Sequence, residues 1–72
     1  MKFELEEDFI ELYKLLKVMG LAESGGQAKM LIEEGEVKRN GEIEFRKRAK
    51  IMAGERIELG EVVIEVEAIP KV

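Results

Sequence analysis

The sequence predicts an α+β domain, two N-terminal helices followed by a small antiparallel sheet, with a short strand possible ahead of the first helix. Three observations predict it. Apolar residues recur at three- and four-residue spacing up to about residue 34 and then alternate at spacing two. A serine helix start stands at Ser24 and a glycine stop at Gly35. An Asn40-Gly41 pair separates two short alternating runs, as in two-residue hairpins.

In chain order, Phe3 and Leu5 alternate with charges and read as a strand. Asp8, followed three residues later by Glu11, reads as the start of a helix over about Phe9 to Met19. That helix turns Phe9, Leu12, Tyr13, Leu16 and Met19 inward and Glu11, Lys14 and Lys17 to water, and Gly20 stops it. Ser24-Gly25-Gly26-Gln27 opens a second helix: the serine hydroxyl accepts from the Gln27 amide and the glutamine side chain returns to the serine backbone. Ala28, Leu31 and Ile32 form its inner face, and Gly35 is its left-handed cap. Val37 to Ile43 forms a hairpin about Asn40-Gly41, with Phe45 and Ile43 expected in the core. Ala53-Gly54-Glu55 is a turn, and Arg56–Leu59 and Val62–Ala68 form a last hairpin about Gly60 with Ile57, Leu59, Ile64 and Val66 inward. No repeat or linker interrupts this order, so residues 1–72 are expected to form one domain.

At 72 residues the core must be thin, because a chain this short buries only about 60% of its unfolded surface. A hydrophobic fraction of 46% supplies enough filler without disulfides. The absence of Cys and His closes routes to thiolate chemistry, Cys-type zinc sites and Ser-His acyl transfer, since the sole serine, Ser24, has no imidazole to take its proton. No enzyme activity, cofactor or metal is expected. No apolar run approaches a membrane span, and the acidic start of the chain does not resemble a secretory signal, so a cytoplasmic location is the expectation.

The net charge of −4 is unevenly distributed. Lys38, Arg39, Arg46, Lys47, Arg48 and Lys50 fall between residues 37 and 50 against Glu42 and Glu44 only, so that stretch is +4 and the remainder −8. Such a segment either is a solvated loop balancing nearby glutamates or meets the phosphates of a nucleic acid. Gly25-Gly26 likewise reads as a tight first helical turn or as an opening through which a phosphate reaches the helix amides.

From Gly20 through the Ser24-Gly25-Gly26-Gln27-Ala28-Lys29 step to Asn40-Gly41, the chain resembles the RNA-binding domain first seen in small-subunit ribosomal protein S-four, the αL motif. With Arg46-Lys47-Arg48-Ala49-Lys50 and the Ala53-Gly54 turn, the likeness is closer to the short, free-standing bacterial YbcJ-like members, and it extends from about Phe9 to Ala68. The resemblance implies two helices followed by a loop and sheet, and binding of structured RNA, ribosomal or transfer RNA, with the ribosome or an RNA-processing protein as a further partner. No DNA or membrane partner is expected. By position it puts Ser24, Gln27 and Lys29 on the contacting face of the second helix and Lys38, Arg39 and Asn40 on the hairpin. Many members carry arginine directly after the serine; Gly25 and Gly26 stand here instead, which shifts expected affinity toward Arg46, Lys47, Arg48 and Lys50. Lys29 in place of a frequent arginine offers a point charge and not a bidentate fork. The competing function is a protein-interaction adaptor in translation or RNA processing, docking through the acidic segment Glu4, Glu6, Glu7, Asp8 and Glu11 or through an edge strand at Val62 to Ala68.

Overall fold

Alternation places Phe3 and Leu5 on one face of β1 (Lys2–Leu5), and a computed structural model shows that face meeting the core, Leu5 being buried. The structure describes residues 1–69; the final three positions of the expected 1–72 span lie outside it. After β1 come β2 (Ile10–Glu11), α1 (Leu12–Val18), α2 (Gly25–Glu33), β3 (Val37–Arg39), β4 (Glu42–Ile43), β5 (Lys50–Ile51), β6 (Arg56–Leu59) and β7 (Val62–Ala68). The α+β class holds, and both helices precede every strand of the main sheet except β1.

One sheet runs in the order β1-β7-β6-β3-β4, and β2 pairs with β5 in a separate two-stranded ribbon. The expected antiparallel sheet is mixed: β1 lies parallel to β7, with Phe3 opposite Val66. A parallel partner this distant requires the whole intervening chain as its crossover, which no local pattern announces. The same pairing corrects the expectation of an edge strand at Val62 to Ala68, since β1 covers one side of β7 and β6 the other. Among the described residues the edges of the five-stranded sheet are β1 and β4.

The first helix is shorter than its apolar pattern. Asp8 does not cap it; Ile10 and Glu11 are drawn into extended pairing with Ile51 and Lys50, and the helix starts at Leu12 without any side-chain cap. Its first two amides donate to the carbonyls of Ala49 (2.9 Å) and Lys47 (3.0 Å), so orphan donors at the helix start are satisfied by a segment some 35 residues away. Phe9, placed inward by spacing, stands outside the helix and is exposed. The second helix follows its signals. Ser24 Oγ accepts from the Gln27 amide at 3.1 Å, and Gly35 adopts φ +78°. The Gln27 side chain, long enough to pass the cap residue, accepts from the amide of Glu23 (2.6 Å) and not from that of Ser24.

Leu12, Leu15, Leu16, Ile32, Val37, Ile51, Ile57, Ile64 and Val66 form a single buried cluster contributed by both helices and the inner sheet face. Each such side chain contributes about 1.5–3 kcal/mol by leaving water, which binds the helix pair to the sheet. Asn40 and Gly41 both take positive φ, 51° and 87°, the geometry that closes a two-residue hairpin between Arg39 and Glu42.

Candidate functional site

The basic segment between β4 and β5 is held by its backbone and not by its charges. Lys47 and Ala49 carbonyls cap α1, the Ala49 amide returns to the Arg46 carbonyl (3.1 Å), and the Ala49 side chain is buried. A loop so tied presents its long side chains outward. The Arg46 and Arg48 side chains are 75% and 72% exposed. Lys47 is nearly half exposed, and Lys50 lies at 4.9 Å over the exposed Phe9 ring.

Helix α2 adjoins this loop. Lys47 Nζ sits 3.4 Å from Glu33, and Lys29, one turn earlier on the same helix face, lies 4.7 Å over the ring of Tyr13, whose own amide donates to the Lys47 carbonyl. Tyr13 is therefore the hinge about which Lys29 of α2 and Lys47 of the loop are gathered. Lys14 joins the group, 5.9 Å over the same ring and 3.3 Å from Glu11, which also meets Arg48 at 3.8 Å. The pairs with Glu11 and Glu33 are surface pairs, each worth about 0–1 kcal/mol, so the cations can exchange those carboxylates for other anions. Along the sequence Lys14 and Tyr13 mark only the surface and the core of helix one. No signal along the chain placed them beside Lys29 and Lys47.

The hairpin residues behave differently. Arg39 is largely enclosed: Nε donates to Glu55 Oε1 (2.6 Å), Nη2 to Glu55 Oε2 (3.1 Å) and to the Lys50 carbonyl (3.0 Å), and Nη1 to Glu44 (3.2 Å). Asn40 donates to Glu55 and accepts the amide of Arg56 (2.9 Å). Both side chains are spent on joining the β3–β4 turn to β6 and to the turn before it. Arg46 donates from Nε and Nη2 to Glu44 at 3.0 Å, holding that carboxyl well below the usual range, at about 2. Burial pushes the Glu55 carboxyl up, but the guanidinium of Arg39 and the Met52 amide outweigh it and the net displacement is downward. The Arg39 guanidinium is raised in turn, first by its bond to Glu55. Lys38, opposite Ile43 and Glu58 across the strands, is exposed on the outer sheet face. Ser24 and Gln27 are exposed, their polar atoms engaged in starting α2.

Phe45 and Ile43, expected in the core, are 59% and 50% exposed. The physical reason is the residue between them. Glu44 turns inward to reach Arg39, and alternation along an extended segment sends its two neighbours outward.

The structure matches a solution structure of Escherichia coli YbcJ with a TM-score of 0.72 and 44% sequence identity, covering 93% of this chain and 86% of that one. That structure is described as revealing an αL motif involved in RNA-binding. In sequence the chain is 48% identical over 59 residues to YbcJ of E. coli (strain K12), 82% of this chain and 84% of that protein, and equally similar to YbcJ of Shigella flexneri. The family model for the S4 domain matches residues 3–67. With two helices packed on a mixed sheet and the S4 domain model matched over nearly the whole chain, this chain belongs to the S4 domain family.

Proposed function

We propose that this protein binds structured RNA, ribosomal or transfer RNA, as a non-catalytic module. The observation that carries the reading is the loop pinned to the start of α1, which leaves the side chains of Arg46, Lys47 and Arg48 exposed and brings Lys47 to Glu33, one turn along α2 from Lys29. Cations on a rigid frame suit a folded RNA, whose phosphates stand at set separations, better than a flexible strand. YbcJ, the relative described as carrying an RNA-binding motif, supports the same reading. In this proposal Lys14, Lys29, Lys38, Arg46, Lys47, Arg48 and Lys50 meet phosphates, whereas Arg39, Asn40, Ser24 and Gln27 hold the frame. Glu11 and Glu33 surrender their partners on binding.

Neutralising about four to six phosphates releases counterions and gives a log-log salt slope of about −3 to −5. The test is titration into labelled structured ribosomal RNA fragments and an unstructured strand of equal length at two salt concentrations. Tighter, salt-sensitive binding to the folded fragments is expected; equal or absent binding would overturn the proposal.

A second reading, a protein-interaction adaptor, draws on the groove between β1 and α1. Phe3, Leu5, Phe9 and Ile10 line it, with Glu4, Glu6 and Glu7 at its margin. It requires capture of a purified translation or RNA-processing protein by a chain with no salt-dependent RNA affinity.

A further inference from the structure

We infer that Phe45 is a stacking platform for an unpaired base of the RNA whose phosphates the neighbouring cations hold. The inference rests on the RNA-binding reading and adds what that reading lacks, a contact to a base instead of to the backbone.

Of the four aromatic side chains, Phe3 and Tyr13 are half-buried against the core, and Phe9 is 38% exposed with Lys50 over its ring. Phe45 alone exposes more than half of its surface, 59%, and it does so inside the basic segment. The ring is nonetheless held in place. It seats against Gly35, where a Cβ would stand only 3.1 Å from its Cε1, and the Ile43 side chain borders the same glycine. Both chain neighbours are anchored: the Glu44 amide donates to the Val37 carbonyl (2.9 Å), and the Arg46 amide donates to the Glu44 carboxylate (3.1 Å). A fixed ring loses little freedom on binding, and aromatic faces accept any base, because every base presents a π-face.

Charge decides between the occupants an exposed ring could take. Arg46 follows Phe45 directly, Lys47 comes next, and Lys38 stands across the strand from Ile43. An apolar protein surface would have to lie among these cations, whereas a nucleotide supplies the ring with a stacking partner and the cations with a phosphate. Single-stranded loops and bulges, with their bases splayed from the helix, are the RNA elements that stack on protein aromatics. The proposed ligand is thus a folded RNA with an unpaired nucleotide next to a helical stem.

The test uses a stem-loop RNA with a single-stranded purine loop and a fully paired RNA duplex of equal phosphate count. The chain has no tryptophan, so Phe45→Trp installs a unique reporter. Its fluorescence is expected to be quenched by the stem-loop and not by the duplex. Phe45→Ala and Phe45→Leu are expected to weaken stem-loop binding by about 5- to 150-fold, the range of one lost base stack, with the salt slope and duplex affinity unchanged. Circular dichroism confirms that each variant is folded. Stem-loop affinity equal to the parent's in Phe45→Ala would overturn the platform while leaving RNA binding intact and would point to a protein occupant. Parent-like affinity in Phe45→Leu alone would overturn it too, because bulk and not the ring face would then be making the contact. A parent protein that binds neither RNA overturns this inference together with the reading beneath it.

Discussion

At the scale of single residues, the same basic segment contains side chains with opposite duties. Arg39 is committed to Glu55, Glu44 and the Lys50 carbonyl. Arg39→Ala takes from Glu55 its guanidinium partner and from Glu44 one of two, both carboxylates being partly enclosed, and is expected to cost about 1–3 kcal/mol in chemical denaturation. Replacing Arg46, Lys47, Arg48 and Lys50 together by Ala removes exposed side chains only. RNA affinity should fall by orders of magnitude while the domain stays folded; undiminished affinity would mean that these residues are merely a solvated loop. Glu44 adds a pH signature. Its carboxyl is held at about 2, against 4.5 for an unperturbed one, first by the hydrogen bond from Arg46. A depressed acid stabilises the fold above its unfolded pKa, and that contribution is lost as pH falls through the folded value. The stability difference between the parent and Glu44→Gln should therefore be constant near neutrality and shrink between about pH 4.5 and 2. A difference independent of pH in that window would contradict the ion-pair assignment.

At the scale of elements, α2 was readable and α1 was not. The α2 signals lie within the element itself, in Ser24, Gln27 and Gly35. Ser24→Ala should accordingly destabilise by about 1 kcal/mol in thermal or urea unfolding, with a cost near zero meaning that the cap bond is not formed in solution. The start of α1 depends on Lys47 and Ala49, and Asp8 and Glu11 are innocent of it despite their capping-box spacing. The β4 segment misled for a related reason. Apolar Ile43 and Phe45 look like core until Glu44 is seen to reach inward for Arg39. Gly35→Ala bears on both elements, since φ +78° strains any side chain and the new Cβ would press on Phe45. It should lower stability by about 1 kcal/mol or more and weaken RNA binding in parallel.

Across the whole molecule, an acidic chain gathers a basic surface because the fold separates many of its cations from many of its glutamates. Glu65 and Glu67 sit opposite Lys2 and Glu4 on β7 and β1, and Glu58 lies on β6, whereas Lys14, Lys29, Lys47 and Arg48 meet where α1, α2 and the loop come together. No helix among the described residues is long and apolar enough to cross a membrane. The family membership and the surface charge together make salt dependence the property that most directly reports on the proposed binding.

The sequence by itself determined whatever is encoded over one or two turns: the α+β order, the Ser24 cap, the Asn40-Gly41 hairpin, the inward faces of β6 and β7, and the concentration of positive charge between residues 37 and 50. These depend on backbone preference and hydrophobic period, which act between near neighbours. Tertiary structure alone decided the parallel docking of β1, the capping of α1 by a distant loop, the enclosure of Arg39 and the exposure of Phe45. Each of those depends on a carbonyl, carboxylate or strand edge brought close from far along the chain, so the partner that settles a side chain's role is absent from its own neighbourhood in the sequence.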